Sequence, residues 1–401
     1  MSIESDWQGY GCVYDDSATS SIDAWIGDRT IRYLGTNAGA AEIPFQGWRR
    51  FKEAFAPELV AKAIQRSRIP VKRCLDPFGG SGTTALACQF LGVEPVTIEV
   101  NPYLADLIEA KLCKYDIESL AKEVGRVVEE SKQVLLKPHE VLAGAPKTMV
   151  EPGYKNRWVF DCQVAERILA LAETIGQVSD PTNRRLMRVI LGAQLVELSN
   201  VRVSGKGRRY RSGWRERKIS PDSVLAKFVD ALGVAVRDIT IHRNRPTLSH
   251  DVRRGDARVL VRDIEQVDSV VFSPPYPNSF DYTDVYNLEL WILGYLKTSK
   301  DNADLRNGTL TSHVQLKRAY ALAPTQSSLL SHVLDMLDSK MNELWNRDIP
   351  AMVGGYFADL MGLLSEMRGI VREGGQVHMV VGDSRYAGVT IPVAERSEEV
   401  V

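Results

Sequence analysis

"VKRCLDPFGGSGTTALACQFLG", residues 71 to 92, passes from β-formers through a glycine-rich turn into a helical pattern that Gly92 is suited to end. The order strand, loop, helix puts glycines where a backbone approaches a ligand closely, at a helix N-terminus. The loop is not a P-loop, because no Gly-Lys-Ser/Thr follows. Nor is it Gly-x-Gly-x-x-Gly, which disfavours a nicotinamide or flavin dinucleotide. It carries a carboxylate instead, Asp76, where the strand ends. Beside a bound pyrophosphate that charge would repel; beside an α-ammonium group it attracts.

"EPVTIEVNP" (94–102) is a second short strand, and its Glu99 lies 23 positions after Asp76, about where a ribose-binding acid belongs in doubly wound folds. A ligand with an amino acid at one end and a ribose at the other satisfies both carboxylates. S-adenosylmethionine is that ligand. A glycine-rich turn with an acidic helix cap is the plainer alternative. It accounts for the loop alone, not for the loop together with Glu99 and the strand end discussed below.

Further out, "VDSVVFSPPY" (267–276) and "GGQVHMVVGDS" (374–384) read as a third and a fourth strand. Phe357, Leu360, Met361, Leu364, Met367 and Val371 recur at helical spacing before the fourth. Alternating helices and nearly continuous apolar strands predict an α/β chain with a parallel sheet covered on both faces. Between them, three helical stripes run through Ala165–Ile175, Leu186–Val196 and Val224–Leu232. Residues 115–245 therefore read as a helical insertion. The chain divides into 1–114 with the glycine loop, this insertion, and 246–401 with the third and fourth strands.

With 401 residues, 44% hydrophobic and 25% charged, the composition is that of a globular protein of one large or two ordinary domains. No stretch reaches the length of a membrane span, and the acidic, polar start lacks a signal peptide's basic and apolar regions. Five scattered cysteines, none in a Cys-x-x-Cys pair, suggest reduced thiols in a cytoplasm. The histidines show no metal-ligand spacing, so no metal is expected. Net charge is only −1, yet "RVSGKGRRYRSGWRERK" (202–218) is strongly basic. It is either a solvated loop or a nucleic-acid contact; the interleaved Tyr210 and Trp214 favour the second, with Lys206, Arg208, Arg209 and Arg211 as candidates.

The third strand ends in Ser273-Pro274-Pro275-Tyr276. Two prolines stop a ladder and hold an extended backbone, leaving carbonyl oxygens with no strand partner. A serine hydroxyl adds an acceptor and Tyr276 a flat face. Paired acceptors beside a stacking surface suit a planar group bearing an exocyclic amine. Two such hydrogen bonds favour a pyramidal nitrogen and aim its lone pair at a sulfonium methyl. A strand terminator with a tyrosine in a turn is the bland reading, and the glycine loop argues against it. "LRNGTLTSH" (305–313), with Arg306, Ser312 and His313, is either a loop closing over the base or a polar surface loop.

"DPFGGSGTT" together with "SPPY" resembles the amino-group DNA methyltransferases, which modify cytosine N4 or adenine N6. "FQGWRRFKEAFAPELVAKAI" (45–64) is similar to the family's segment near the methionine end of the cofactor, which points to Phe51, Lys52 and Phe55. "GDARVL" (255–260) looks like the family's third motif and places Asp256 near the adenine. The resemblance implies a Rossmann-like, seven-stranded methyltransferase sheet with a mainly helical insertion. It implies cofactor contacts from Asp76, Pro77, Phe78, Gly79, Gly80, Gly82, Thr83 and Thr84, with Glu99 on the ribose. Ser273, Pro274, Pro275 and Tyr276 would grip an extruded base. Serine at the first position is commoner in the cytosine-N4 group, and it implies that the proton leaves to water. Double-stranded DNA is the expected partner, in a nucleoid-associated cytoplasmic protein. A restriction or defence component is left open as a further partner. In the family a closing antiparallel pair follows the late strand, yet only 19 residues follow Gly382. The pair lies elsewhere, the sheet is abbreviated, or the frame is shortened.

Cytosine C5 chemistry is disfavoured, since it needs a nucleophilic cysteine and none lies beyond Cys162. The remaining alternatives are adenine N6, an RNA or glutamine amino group, and a non-catalytic DNA-binding subunit.

Overall fold

The computed structural model describes residues 22–394 apart from 52, 205 and 206, so the expectations at Cys12, Lys52 and Lys206 fall outside the described residues. In chain order, α1 (Pro57–Gln65) precedes β1 (Arg73–Asp76), and α2 (Thr83–Phe90) leads to β2 (Glu94–Glu99) and α3 (Pro102–Leu112). Four longer helices follow: α4 (Ile117–Ser131), α5 (Cys162–Gly176), α6 (Pro181–Gln194) and α7 (Asp222–Ile241). A hairpin, β3 (Val201–Ser204) and β4 (Gly207–Tyr210), stands between α6 and α7. Then come β5 (Asp251–Arg254), β6 (Val267–Phe272), the long α8 (Ile349–Ile370) and β7 (Val371–Met379). A last hairpin is made of β8 (Ser384–Tyr386) and β9 (Val389–Ile391).

Five strands form one sheet in the order β5-β2-β1-β6-β7, with every neighbour parallel. The chain moves outward from β1 through β2 to β5, then crosses to the other side for β6 and β7. That reversal opens a crevice beyond the carboxyl ends of β1 and β6, where open α/β sheets bind ligands. Register decides what meets there. Cys74 lies opposite Ser269 and Leu75 opposite Val270, so Asp76 is level with Val271 and Ser273 leaves the neighbouring strand two residues further along. The site is assembled by this pairing.

The edge strand β5 escaped the sequence reading because "DVRR" has one apolar residue and no buried position. It pairs with β2 from Val96 to Glu99 and so delivers Gly255 and Asp256 to the same rim. The three helical stripes fall on α5, α6 and α7. Their buried residues Ile168, Leu186 and Phe228 belong to one apolar core with Leu86 of α2 and Leu107 of α3. α6 meets α3 at Gly192, where a Cβ would stand 2.5 Å from the Tyr103 ring. The Tyr103 hydroxyl donates to the Val189 carbonyl at 3.0 Å across that seam. α7 in turn holds the N-terminal segment, because the buried Asp238 carboxylate accepts from Phe45 N at 2.7 Å and Trp48 Nε1 at 2.9 Å.

The expectation of seven strands is corrected: among the described residues the sheet has five. β8 and β9 pair only with each other, through a tight turn in which Ala387 and Gly388 both take positive φ, 45° and 81°. That two-residue turn matches the twist of a hairpin. Tyr386, Val389 and Ile391 then bury themselves with Leu337 and Ile349 in a second core, against which Met379 at the end of β7 packs.

Candidate active site

Asp76 ends β1 as a buried carboxylate, its Oδ1 accepting from Phe78 N at 2.9 Å. Glu99 ends β2 and accepts from Gly80 N at 2.7 Å and Asn101 N at 2.8 Å. Burial pushes Asp76 up to about 6, with the Phe78 and Thr84 hydrogen bonds opposing. Burial likewise pushes Glu99 up to about 7, against its two backbone donors and with the Asp76 charge adding to the rise. Neither carboxylate forms an ion pair among the described residues. Two buried acids thus face a cavity of about 340 Å³ without a cation to balance them.

Gly79 packs so tightly that a Cβ would stand 2.3 Å from Thr97 Cγ2. Gly80 takes φ +52°, and its missing side chain leaves room for the Phe51 ring. From beneath, the buried Lys111 ammonium donates to the Ser81 carbonyl at 2.7 Å; burial pushes it down to about 7. Asp76, Pro77, Phe78, Gly79, Gly80 and Thr83 all line the cavity, as do Phe51, Phe55, Glu99 and Asp256. Gly82 and Thr84 do not line it. Gly82 is needed where α2 passes α3, a Cβ there lying 2.9 Å from Ile108, and Thr84 Oγ1 donates to the Val271 carbonyl at 3.3 Å. Asp256 caps the short helix Ala257–Leu260, and Arg258 grips its carboxylate at 2.7 Å.

Ser273, Pro274, Pro275 and Tyr276 line the same cavity. Ser273 Oγ donates to the Val380 carbonyl of the loop after β7 at 2.9 Å and lies 3.1 Å from the Tyr276 hydroxyl. A carbonyl only accepts, so the serine proton is committed to Val380 and the oxygen presents its lone pairs elsewhere. The Tyr276 ring rests against Gly382, where a Cβ would stand 3.2 Å from Cε2. The loop beyond is pinned by the second hairpin: Tyr386 Oη is 2.9 Å from Ser279 Oγ and donates to the Pro277 carbonyl at 3.1 Å.

A family model for DNA methylases, N6_N4_Mtase, matches residues 18–110. Type II methyltransferase M.AvaI of Nostoc sp. is 25% identical over 386 residues, covering 87% of this chain and 76% of its own length. Type II methyltransferase M.BsoBI of Geobacillus stearothermophilus is 26% identical over 395 residues, 86% of this chain and 75% of that protein. M.MjaII of Methanocaldococcus jannaschii reaches 34% identity, but over 83 residues. The chain is thus similar to the N6/N4 amino-methyltransferase family over residues 18–110 and to type II methyltransferases over most of its length. DNA methyltransferases of this family take their methyl group from S-adenosylmethionine. The residues present fit that donor, because its ammonium supplies the positive charge that the buried Asp76 lacks and its ribose hydroxyls can donate to Glu99.

Around this cavity the sequence reading missed several residues. Asn101 caps α3 through Oδ1 and lines the cavity, while its Nδ2 is buried without a partner among the described residues. Thr283 and Tyr286 also line the cavity, and so does His313, which the sequence had named only as part of the 305–313 segment. "LRNGTLTSH" does not end as a surface loop, since Thr311, Ser312 and His313 are all buried. Glu109, Cys113 and His250 converge, with donor atoms within 4.8 Å. Distance in the sequence hid that grouping; Arg185 stands 3.8 Å from Glu109 and supplies positive charge there.

The first half of the basic stretch is the β3–β4 hairpin, and residues 211–218 follow it as a turn. Arg208 is paired with Asp284 at 3.1 Å, and Arg211 donates to the Val201 carbonyl at 2.9 Å and the Val196 carbonyl at 3.1 Å. Arg209 is exposed, together with Arg202. Trp214 is buried against Trp158 and Tyr210, with ring centroids 4.9 and 4.7 Å away, and so offers no open stacking face.

Proposed function

We propose that this chain methylates the exocyclic amino group of a base extruded from duplex DNA, with cytosine N4 as the target and adenine N6 as the alternative. One observation carries the reading: Asp76 and Glu99 share a single cavity with Ser273 and Tyr276. When bound, S-adenosylmethionine supplies an electrophilic sulfonium methyl. Everything else falls to the protein. Ser273, its proton engaged by Val380, accepts one amine N–H, and the Pro274 carbonyl accepts the other. Holding both draws the nitrogen lone pair out of conjugation with the ring. Tyr276 offers the base a stacking face, and Gly79 and Gly80 let the donor lie close to the backbone. A serine is too weak a base to take the proton beforehand, so it leaves to water after transfer.

The same reading gives residues 115–245 the task of recognising the target word, with the exposed Arg202 and Arg209 on phosphates. The names of the relatives support a partner restriction enzyme. Expression in cells without amino-methylated DNA, followed by modified-base sequencing, tests the proposal. N4-methylcytosine at one fixed word is the expected result. N6-methyladenine moves the target to the alternative. Unmodified DNA, with no transfer to duplexes by purified protein, overturns the reading.

A further inference from the structure

We infer that His313 is a base-positioning residue whose Nε2–H donates to the ring nitrogen beside the target amine, N3 of a cytosine or N1 of an adenine. This rests on the reading of the cavity as a base pocket. His313 lines that cavity and is 1% exposed. Its Nε2 has no hydrogen-bond partner among the described residues. A buried polar atom left unpaired is costly, which marks it as held for a ligand.

The ring is set to donate. Nδ1 is 3.4 Å from the Ser312 hydroxyl, which donates to it when the ring proton sits on Nε2. Burial pushes His313 down to about 4, with Arg318 and Arg306 acting the same way and Asp281 against, so the imidazole is neutral. Asp281 Oδ2 lies 3.9 Å from Nε2, too far for a hydrogen bond. That carboxylate is already served by Arg306 at 2.5 Å, Thr283 Oγ1 at 2.6 Å and Thr283 N at 3.0 Å. Asp281 therefore flanks the ring without taking its proton.

Cytosine and adenine share one edge: an amine that donates beside a ring nitrogen that accepts. An acceptor at Ser273 and a donor at His313 match that edge. Thymine and uracil present the reverse pattern, a carbonyl beside N3–H, and leave both protein groups facing their own kind. The pair therefore discriminates aminated from oxygenated bases.

The test uses duplex oligonucleotides containing the word found by modified-base sequencing, in single-turnover assays with the full chain. One duplex carries the natural target base and one carries 3-deazacytosine (1-deazaadenine if adenine is the target). Wild-type protein is expected to lose about tenfold or more on the deaza base. His313→Ala is expected to lose about tenfold on the natural base and less than about twofold further on the deaza base, with S-adenosylmethionine affinity unchanged. His313→Gln, which keeps a donor near Nε2, should recover part of the natural rate. Equal deaza losses in wild type and His313→Ala overturn the assignment, as does a wild type indifferent to the deaza base, which needs no variant to fold. No transfer by wild type to the natural duplex is the failure of the underlying proposal and is seen before any analogue is used.

Discussion

At Ser273 the hydrogen bond to Val380 matters more than the hydroxyl's identity alone, because it fixes which way the oxygen faces. Removing that oxygen in Ser273→Ala should slow single-turnover methyl transfer by about ten- to a hundredfold. Calorimetry should find S-adenosylmethionine affinity within about twofold of wild type, and undiminished transfer would remove the assigned role. Gly79→Ala should act differently. Its Cβ would overlap Thr97 and Ile108, costing about 1–3 kcal/mol in thermal unfolding and weakening donor binding together. These residues were legible in the sequence because each is a chemical type at a strand's end, at a spacing that folds impose. His313, 40 positions after Ser273, was legible only as a member of the 305–313 segment, because no spacing rule in an irregular stretch says that it meets Ser273.

The β3–β4 hairpin shows how one element can be read correctly for charge and wrongly for form. Its arginines signalled a polyanion, but which of them remain free depends on tertiary partners that composition does not show. Arg208 is spent on docking the hairpin to Asp284, one residue after the cavity-lining Thr283. Arg202 and Arg209 are the exposed pair. Replacing both with alanine should weaken duplex binding and reduce the slope of log K against log salt by about 2, measured by titration at several salt concentrations. An unchanged slope would assign the pair to solvent. Arg208→Ala should instead lower the transfer rate about three- to tenfold with little change in salt slope, since it loosens the hairpin from the cavity wall. β5 was illegible for a related reason: a half-exposed edge strand need not be apolar, so "DVRR" gives no periodic signal.

The whole molecule carries its two buried acids as a pH-dependent load. Unfolded, Asp76 and Glu99 release their protons near pH 4; folded and without ligand they hold them to about 6 and 7. The folded state therefore binds more protons across that window, and stability falls as pH rises from about 4 to 7. The change is on the order of a few kcal/mol at most. Asp281 and Glu109, held below the usual range, act oppositely at lower pH, so variants make the comparison clean. Asp76→Asn should melt a few degrees above wild type at pH 8 and level with it at pH 4, by calorimetry without ligand. S-adenosylmethionine should raise the wild-type midpoint more at pH 8 than at pH 5.5, because its ammonium meets a charge only at the higher pH.

At this scale the parallel sheet and the helical stripes were readable from periodicity. The way α5, α6 and α7 bury themselves on α3 was not, since amphipathic stripes do not name their partners. That burial has an evolutionary consequence. With Gly192 wedged against Tyr103, the middle third of the chain cannot be lifted out and replaced by a cousin's without wrecking the fold around the donor pocket. On the proposed reading of that segment, new DNA words arise by editing what projects from the surface, a fingertip at a time, while the palm stays as it is.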